Sequence, residues 1–229
     1  MLIGGLHKCS TVDYPGLLST VIFTSGCNMN CIYCHNRQLI SKGSDLLCEE
    51  EIIQFLEKRR GLIDGVVLSG GEPTLQEDLL YFARKIKDLD FKLKLDTNGT
   101  RPEVLEQLIK NNLLDFIAMD IKASPQKYPM ICKSSVSVNA ISKSIQLIER
   151  SGIDYEFRTT TWPRLFKDDY INILKWIYKA KTYTIQCCRT SDNIPMQNDC
   201  FKDVKDISSF EVIAKEYVEN FKVRGFYVN

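Results

Sequence analysis

The chain alternates between two hydrophobic periods. Short runs rich in β-branched and apolar residues recur as "LLSTVIFTSG" (17–26), "GVVLSGG" (65–71), "KLKLDTNG" (92–99), "FIAMDIK" (116–122), "YEFRTTTW" (155–162) and "TYTIQCCR" (182–189). Runs of this kind, punctuated by Gly, Asn and Pro, predict strands. Between them lie "EEEIIQFLEKRRGLI", "EDLLYFARKIKDL", "PEVLEQLIKNNL", "VNAISKSIQLIERSG" and "DDYINILKWIYKA", whose apolar residues repeat at helical spacing. In the first of these, Ile52, Phe55, Leu56, Leu62 and Ile63 keep to one face while Glu and Lys take the other. Glu49 to Glu51 place negative charge at a helix N-terminus, where the dipole favours it. A final helix, "SSFEVIAKEYVENF", and a short terminal strand, "KVRGFYVN", complete the pattern.

Strand–helix alternation predicts right-handed βαβ units and a parallel sheet, hence an α/β fold. Six strands with five intervening helices are too few for a closed eight-unit barrel. The pattern alone leaves a partial, curved barrel or a flatter doubly wound sheet. The unusual residues fall in one kind of place. A three-cysteine loop, "SGGEPT", "DTNG", "DIK", "RTTTWP" and "QCCR" all sit at or just past the C-terminal ends of predicted strands. Parallel α/β folds build their chemistry on that edge.

Composition narrows the class. A chain of 229 residues suits one barrel-type domain, and 30 basic against 29 acidic residues show no charge bias toward nucleic acid or a membrane surface. The first residues lack a basic segment followed by a long apolar core, and no run approaches about 18 apolar residues. The expectation is a soluble, cytoplasmic protein of a single domain spanning 1–229. Nine cysteines, an odd number at uneven spacing, argue against a disulfide framework and for metal ligands or reactive thiols.

Three of them crowd into "TSGCNMNCIYCHN" as Cys27, Cys31 and Cys34. Structural zinc sites take four ligands in paired knuckles, and no second C-x2-C is present. Three thiolates on one loop suit three irons of a 4Fe–4S cluster, with the fourth iron open to a small molecule. The alternatives are three packed cysteines, or a zinc knuckle completed by His35 or a distant cysteine.

"CNMNCIYCHN", with Tyr33 before its last cysteine, resembles the cluster-binding signature of the radical S-adenosylmethionine (radical SAM) enzymes. "STVDYPG", "GGEP", "LDTNG" and "MDIK" follow the order and approximate spacing of the branch that activates glycyl-radical enzymes. The whole set reads most like the short activating proteins of anaerobic ribonucleoside-triphosphate reductase. The resemblance spans about residues 1 to 190 and implies a partial (β/α)6 TIM-like barrel with its active site at the C-terminal strand ends. It implies a 4Fe–4S cluster on Cys27, Cys31 and Cys34, with S-adenosylmethionine chelated at the open iron. One electron, from a flavodoxin or ferredoxin, would cleave the cofactor to methionine and a 5′-deoxyadenosyl radical. That radical would take a Cα hydrogen from a glycine of a partner enzyme, an anaerobic ribonucleotide reductase.

The resemblance also assigns the remaining motifs. Gly70, Gly71 and Glu72 of "SGGEPT" would meet the amino group of the cofactor's methionine part. Read as residues, the glycines allow close backbone approach, and Glu72 is either a ligand carboxylate or the acid that starts a helix. Asp96, Thr97 and Asp120, with the Ala118 carbonyl, would form a monovalent-cation site, and Lys122 would face the cofactor carboxylate. Read as residues, "DTNG" is an Asn-Gly turn with Thr97 or Asn98 as a cap, and Asp120 and Lys122 an ion pair. Arg158 is either a structural ion pair or a cofactor contact. Asp13 and Gly16 of "STVDYPG" would lie near the peptide substrate, or else form a turn around Pro15. Cys187 and Cys188 are either small buried hydrophobes or reactive thiols near a radical. Cys9, Cys48, Cys132 and Cys200 carry no motif and read as structural. A second ferredoxin-type cysteine cluster, the mark of two-cluster activases, is absent from the sequence. The rival readings are a radical SAM enzyme with another target and a non-catalytic zinc or iron–sulfur module.

Overall fold

A computed structural model describes residues 1–41, 43, 45–188 and 204–225. Eight strands form one sheet in sequence order. They are β1 (Ile3–Ser10), β2 (Ser19–Thr24), β3 (Gly65–Gly70), β4 (Lys92–Thr97), β5 (Phe116–Asp120), β6 (Asp154–Thr160), β7 (Thr182–Gln186) and β8 (Asn220–Arg224). β1 runs antiparallel to β2, and every later pair is parallel. The edges β1 and β8 do not pair, so the barrel is open. The partial α/β barrel that the resemblance implies is therefore present, with the expected terminal strand as β8 at one edge and β1 added at the other. Arg189 and Cys200 fall outside the described residues.

Helices α1 (Glu49–Glu57), α2 (Leu79–Asp88), α3 (Pro102–Lys110), α4 (Tyr128–Cys132), α5 (Val138–Arg150), α6 (Lys167–Trp176) and α7 (Val204–Ala214) link the strands. Their starts follow local chemistry. Pro102 opens α3, where its missing N–H costs nothing. The Ser137 hydroxyl accepts from the Ala140 N–H at 3.3 Å and caps α5. The helix read over 49–63 stops at Glu57, and the one read over 208–221 lies instead at 204–214. In α2, Leu79, Phe82, Ala83 and Ile86 are buried at helical spacing, which seats that face on the sheet.

The two faces of the sheet differ in kind. Leu93 and Leu95, Ile117 and Met119, and Tyr155 and Phe157 point outward into the large core beneath the helices. The alternate residues point inward. There Tyr14, Val21 and Val67 form a small apolar cluster with Leu17, Phe23 and Phe116 beside it. Toward the C-terminal ends the same face carries Lys94, Asp96, Asp120, Glu156 and Arg158. Strands buried on both faces of a parallel sheet are ordinarily apolar throughout. These strands alternate because their inner face is lined with charge.

The hairpin between β1 and β2 sits at the N-terminal end of β2 and fills the floor of the barrel with Tyr14. A Cβ on Gly65 would come within 2.9 Å of the Tyr14 ring, and Tyr14 lies 5.9 Å from Phe116. The Tyr14→Ala variant is expected to lose about 3 kcal/mol in urea unfolding, the usual cost of emptying a buried aromatic site. Iron loading of the folded variant should be unchanged, since the hairpin and the cysteines are at opposite ends of β2. A loss of loading at full folding would contradict this placement.

Candidate active site

Residue pattern brings one cavity together at the C-terminal ends of the strands. Cys27, Cys31, Tyr33 and Cys34 reach it from the loop after β2, and Gly70, Gly71 and Glu72 from the end of β3. Asp96 and Thr97 come from β4, Lys122 from just beyond β5, and Arg158 from β6. All eleven of these predicted site residues line the same space. A groove of about 400 Å³ between α3 and α5, lined by residues such as Glu103, Glu106, Lys143 and Arg150, holds no thiol and no strand-end residue. Size therefore does not pick out the site; chemistry does.

The cysteine loop is held by backbone hydrogen bonds on both sides. The Gly26 and Cys27 N–H groups donate to the Leu39 and Ile40 carbonyls at 2.8 and 2.9 Å. The Asn30 and Ile32 N–H groups donate to the Cys132 and Ile131 carbonyls, at 2.9 and 3.1 Å, at the end of α4. Tyr33 is buried, its hydroxyl 3.3 Å from the Lys122 carbonyl and its ring 5.8 Å from that of Trp162.

The glycines also let two segments of backbone meet. A Cβ on Gly71 would lie 2.2 Å from the Gly26 carbonyl oxygen, and one on Gly70 would lie 2.4 Å from the Thr24 nitrogen. Their missing side chains let the end of β3 press against the start of the cysteine loop. The Gly71 N–H donates to the Thr24 carbonyl at 2.8 Å and the Glu72 N–H to the Gly26 carbonyl at 2.9 Å.

Glu72 is a clamp. Its Oε1 accepts from the Thr74 N–H and hydroxyl at 3.1 and 2.5 Å and from the Thr97 hydroxyl at 2.7 Å. Its Oε2 accepts from the Asn98 N–H at 2.6 Å. The helix-start reading holds, since the Thr74 contact caps the short 3-10 turn Pro73–Leu75. Burial pushes the Glu72 carboxyl up, against the pull of these hydrogen bonds. The Asn-Gly turn is present too, with Gly99 at φ +74°. Neither Thr97 nor Asn98 caps α3, however, whose N-cap is Arg101 without a side-chain bond. Asn98 instead bonds Asn28 of the cysteine loop at 2.9 Å, a link that no motif in the sequence marks.

Deeper, the charges pair. The Lys122 Nζ is 2.8 Å from Asp120, and Arg158 lies 2.9 Å from Asp120 and 3.5 Å from Asp96. The ion pairs read as one possibility for "AMDIK" and Arg158 are both present, and Lys122 and Arg158 line the cavity as well. Lys94, which alternation puts on the face of Asp96 but which carries no motif, is buried and lies 2.5 Å from Asp96. Burial raises the Asp96 and Asp120 carboxyls, but the neighbouring cations more than offset this and hold both below the ordinary carboxylate value. Against the two carboxylates stand three cations, which suits a ligand bearing a carboxylate.

Among the thiols, burial pushes Cys27 up to about 11. Cys31 is pulled below the ordinary thiol value, first by a hydrogen bond with the Cys132 thiol and then, against burial, by Lys122. Cys132 is thus buried beside a predicted ligand rather than serving the core alone. Cys9 and Cys48 are exposed and are not core residues. Cys187 and Cys188 follow the end of β7 half-buried, with the Cys188 sulfur 3.7 Å from the His35 ring.

Asp13 and Gly16 are not at this mouth. They lie in the floor hairpin, the length of β2 away, roughly 20 Å for six residues. Asp13 accepts from the Ser10 hydroxyl at 2.5 Å, and Gly16 takes φ +77° in the turn. The turn reading holds: both residues lead into β2, and the segment that precedes a strand lies at its N-terminal end, opposite the mouth.

The donor set fits a cluster. Thiols strung along a loop beside an open, cation-lined cavity suit a polynuclear cluster, in which each sulfur binds a different iron.

Two predictions follow from this geometry. Gly71→Ala should reduce iron bound per chain after anaerobic reconstitution to below about half of wild type, because the loop must shift; full loading would show that the approach to Gly26 is dispensable. The stability from Asp96 and Asp120 is complete above their unfolded value of about 4 and is lost as pH falls through their lower folded values. Acid unfolding of Asp120→Asn should show a shallower limb between roughly pH 4 and 2 than wild type.

The comparisons agree with this geometry. Residues 21–177 match the family model described as the radical SAM superfamily. A protein of Methanocaldococcus jannaschii described as a glycyl-radical enzyme activating enzyme is 37% identical over 239 residues, covering 97% of this chain and 95% of its own length. The pyruvate formate-lyase-activating enzyme of Clostridium pasteurianum is 33% identical over 131 residues, 53% of this chain and 54% of that protein. The crystal structure of Streptococcus suis SuiB bound to S-adenosylmethionine shares the fold, with a TM-score of 0.71 at 14% identity. That match covers 90% of this chain and 50% of SuiB, so the chain spans about half the length of that neighbour. With signature loop, open parallel barrel and near-full-length relative in agreement, the chain belongs to the radical SAM superfamily of enzymes, in its glycyl-radical-enzyme-activating branch.

Proposed function

We propose that this chain activates a glycyl-radical enzyme, with anaerobic ribonucleoside-triphosphate reductase as its partner and a flavodoxin or ferredoxin as its electron source in the cytoplasm. The observation that carries the reading is the cavity itself, with three thiols on one wall and Lys122 and Arg158 on another. Cys27, Cys31 and Cys34 would hold a 4Fe–4S cluster through three of its irons. The cluster, when bound, supplies the electron that splits the sulfonium of S-adenosylmethionine to methionine and a 5′-deoxyadenosyl radical.

The chain's own residues place and shield the reactants. Lys122 and Arg158 give the cofactor carboxylate its positive counterpart. The backbone at Gly70 and Gly71 lines the side where the amino group would lie. Glu72, through Thr97 and Asn98, keeps the ends of β3 and β4 in register around the cofactor. Tyr33 closes the outer wall. The open side between β1 and β8 and the polar inner face suit a peptide loop as substrate, since a glycine Cα can then be brought to the cavity. No helix among the described residues is long and apolar enough to cross a membrane.

Reconstituted wild type, reduced with dithionite in the presence of S-adenosylmethionine, should release 5′-deoxyadenosine, and Cys31→Ala should release none above background. Mixing the active enzyme with anaerobic ribonucleotide reductase should produce a glycyl-radical doublet in electron paramagnetic resonance. A doublet on pyruvate formate-lyase alone would keep the chemistry and replace the partner. A fully loaded protein that yields no 5′-deoxyadenosine would overturn the reading.

A further inference from the structure

The alkali cation is the one expected companion of the cofactor that these residues do not fit. All four carboxylate oxygens of Asp96 and Asp120 already have partners. Asp96 Oδ1 meets the Lys94 ammonium at 2.5 Å and the Arg158 guanidinium at 3.5 Å, and its Oδ2 accepts from the Ser69 hydroxyl at 3.0 Å. Asp120 Oδ1 accepts from Arg158 Nε at 2.9 Å, and its Oδ2 from the Lys122 Nζ at 2.8 Å. Arg158 thus bridges the two carboxylates, which is where an ion shared between them would have to lie.

Lys94 makes the arrangement hard to undo. It is 1% exposed, its ammonium sits 6.0 Å from the centre of the Phe116 ring, and the Asp96 carboxylate is its ion-pair partner. A buried ammonium stripped of its carboxylate is among the costliest states in a protein interior. A metal ion entering between Asp96 and Asp120 would compete with it and add a fourth positive charge to a pair that already faces three. The placement follows from the sequence. Lys94 and Asp96 are two apart on β4, so both project to the inner face.

We propose that Lys94 and Arg158 are built-in cations that take the place of a bound alkali ion at Asp96 and Asp120, so that this site binds S-adenosylmethionine independently of potassium and sodium. The inference rests on the reading of the cavity as the S-adenosylmethionine site. Lys94 is a positioning residue: it acts through Asp96, and through it on Arg158.

The test uses the reconstituted protein in potassium, sodium or choline chloride at equal ionic strength. S-adenosylmethionine affinity and the thermal unfolding midpoint are measured for wild type, Lys94→Met and Lys94→Arg. Wild type and Lys94→Arg should show the same affinity within about twofold in all three salts, and midpoints that do not depend on the salt. Lys94→Met should bind about tenfold more weakly in choline, with affinity and midpoint both restored by potassium, as mass action requires of an ion that binds the folded state. Wild type that loses about tenfold in affinity in choline, or whose midpoint rises with potassium, would overturn the proposal. So would a folded Lys94→Met that ignores potassium. If Lys94→Met does not fold, the wild-type and Lys94→Arg comparison decides alone. Failure to bind S-adenosylmethionine in any salt would sink the parent reading, and the midpoints would still report whether an ion binds.

Discussion

The site depends on one constraint, that charges turned into the barrel must find partners there. Half of each parallel strand faces helices and is apolar, while the other half faces inward. On β4, β5 and β6 the inward positions near the C-terminal ends are ionic. Arg158 lies between Asp96 and Asp120, and its two contacts join three adjacent strands across their inner face. Further round, Glu156 is buried and paired with Arg224 of the edge strand β8 at 2.8 Å, with Thr184 of β7 bonding the same carboxylate. Ion pairs of this kind add little net stability over a packed apolar core. What they provide is a floor of fixed polarity beneath the cavity, held without large contribution from solvent.

A second layer of organisation joins loops to one another. The ends of β3 and β4 and the cysteine loop touch through backbone and short polar side chains: Gly71 against Gly26, Glu72 to Thr97 and Asn98, and Asn98 to Asn28. These contacts bring residues about 70 positions apart in the chain into one rigid rim. The Glu72 carboxylate is spent on this rim, which separates its role from that of the cations on the other wall.

Much of this was legible in the sequence. The six central strands, their parallel order and the mouth where motifs converge follow from period and punctuation. The three cysteines are legible from spacing alone. β1 was not, because "IGGLHKCS" pairs glycines with charged and small residues and shows no apolar alternation. The expectation that Asp13 and Gly16 lie near the substrate rests on the resemblance alone; their place just before β2 in the chain puts them at its N-terminal end, away from the mouth. Lys94 was hidden for another reason. A lysine in "KLKLDT" reads as the solvent side of a half-buried strand, and only the curvature of the sheet makes that side an interior. Cys132 is joined to Cys31 through tertiary contact, which spacing does not encode.

The cysteine loop has its own backbone bonds, to Leu39 and Ile40 on one side and to Ile131 and Cys132 on the other. In zinc fingers the metal supplies the folding energy, and the peptide is shapeless until it arrives. Here the segment that would receive iron is anchored by the polypeptide itself. The path of the loop is therefore set by two distant parts of the chain, so a change at the end of α4 reaches the cysteines through the backbone as directly as one within the loop itself.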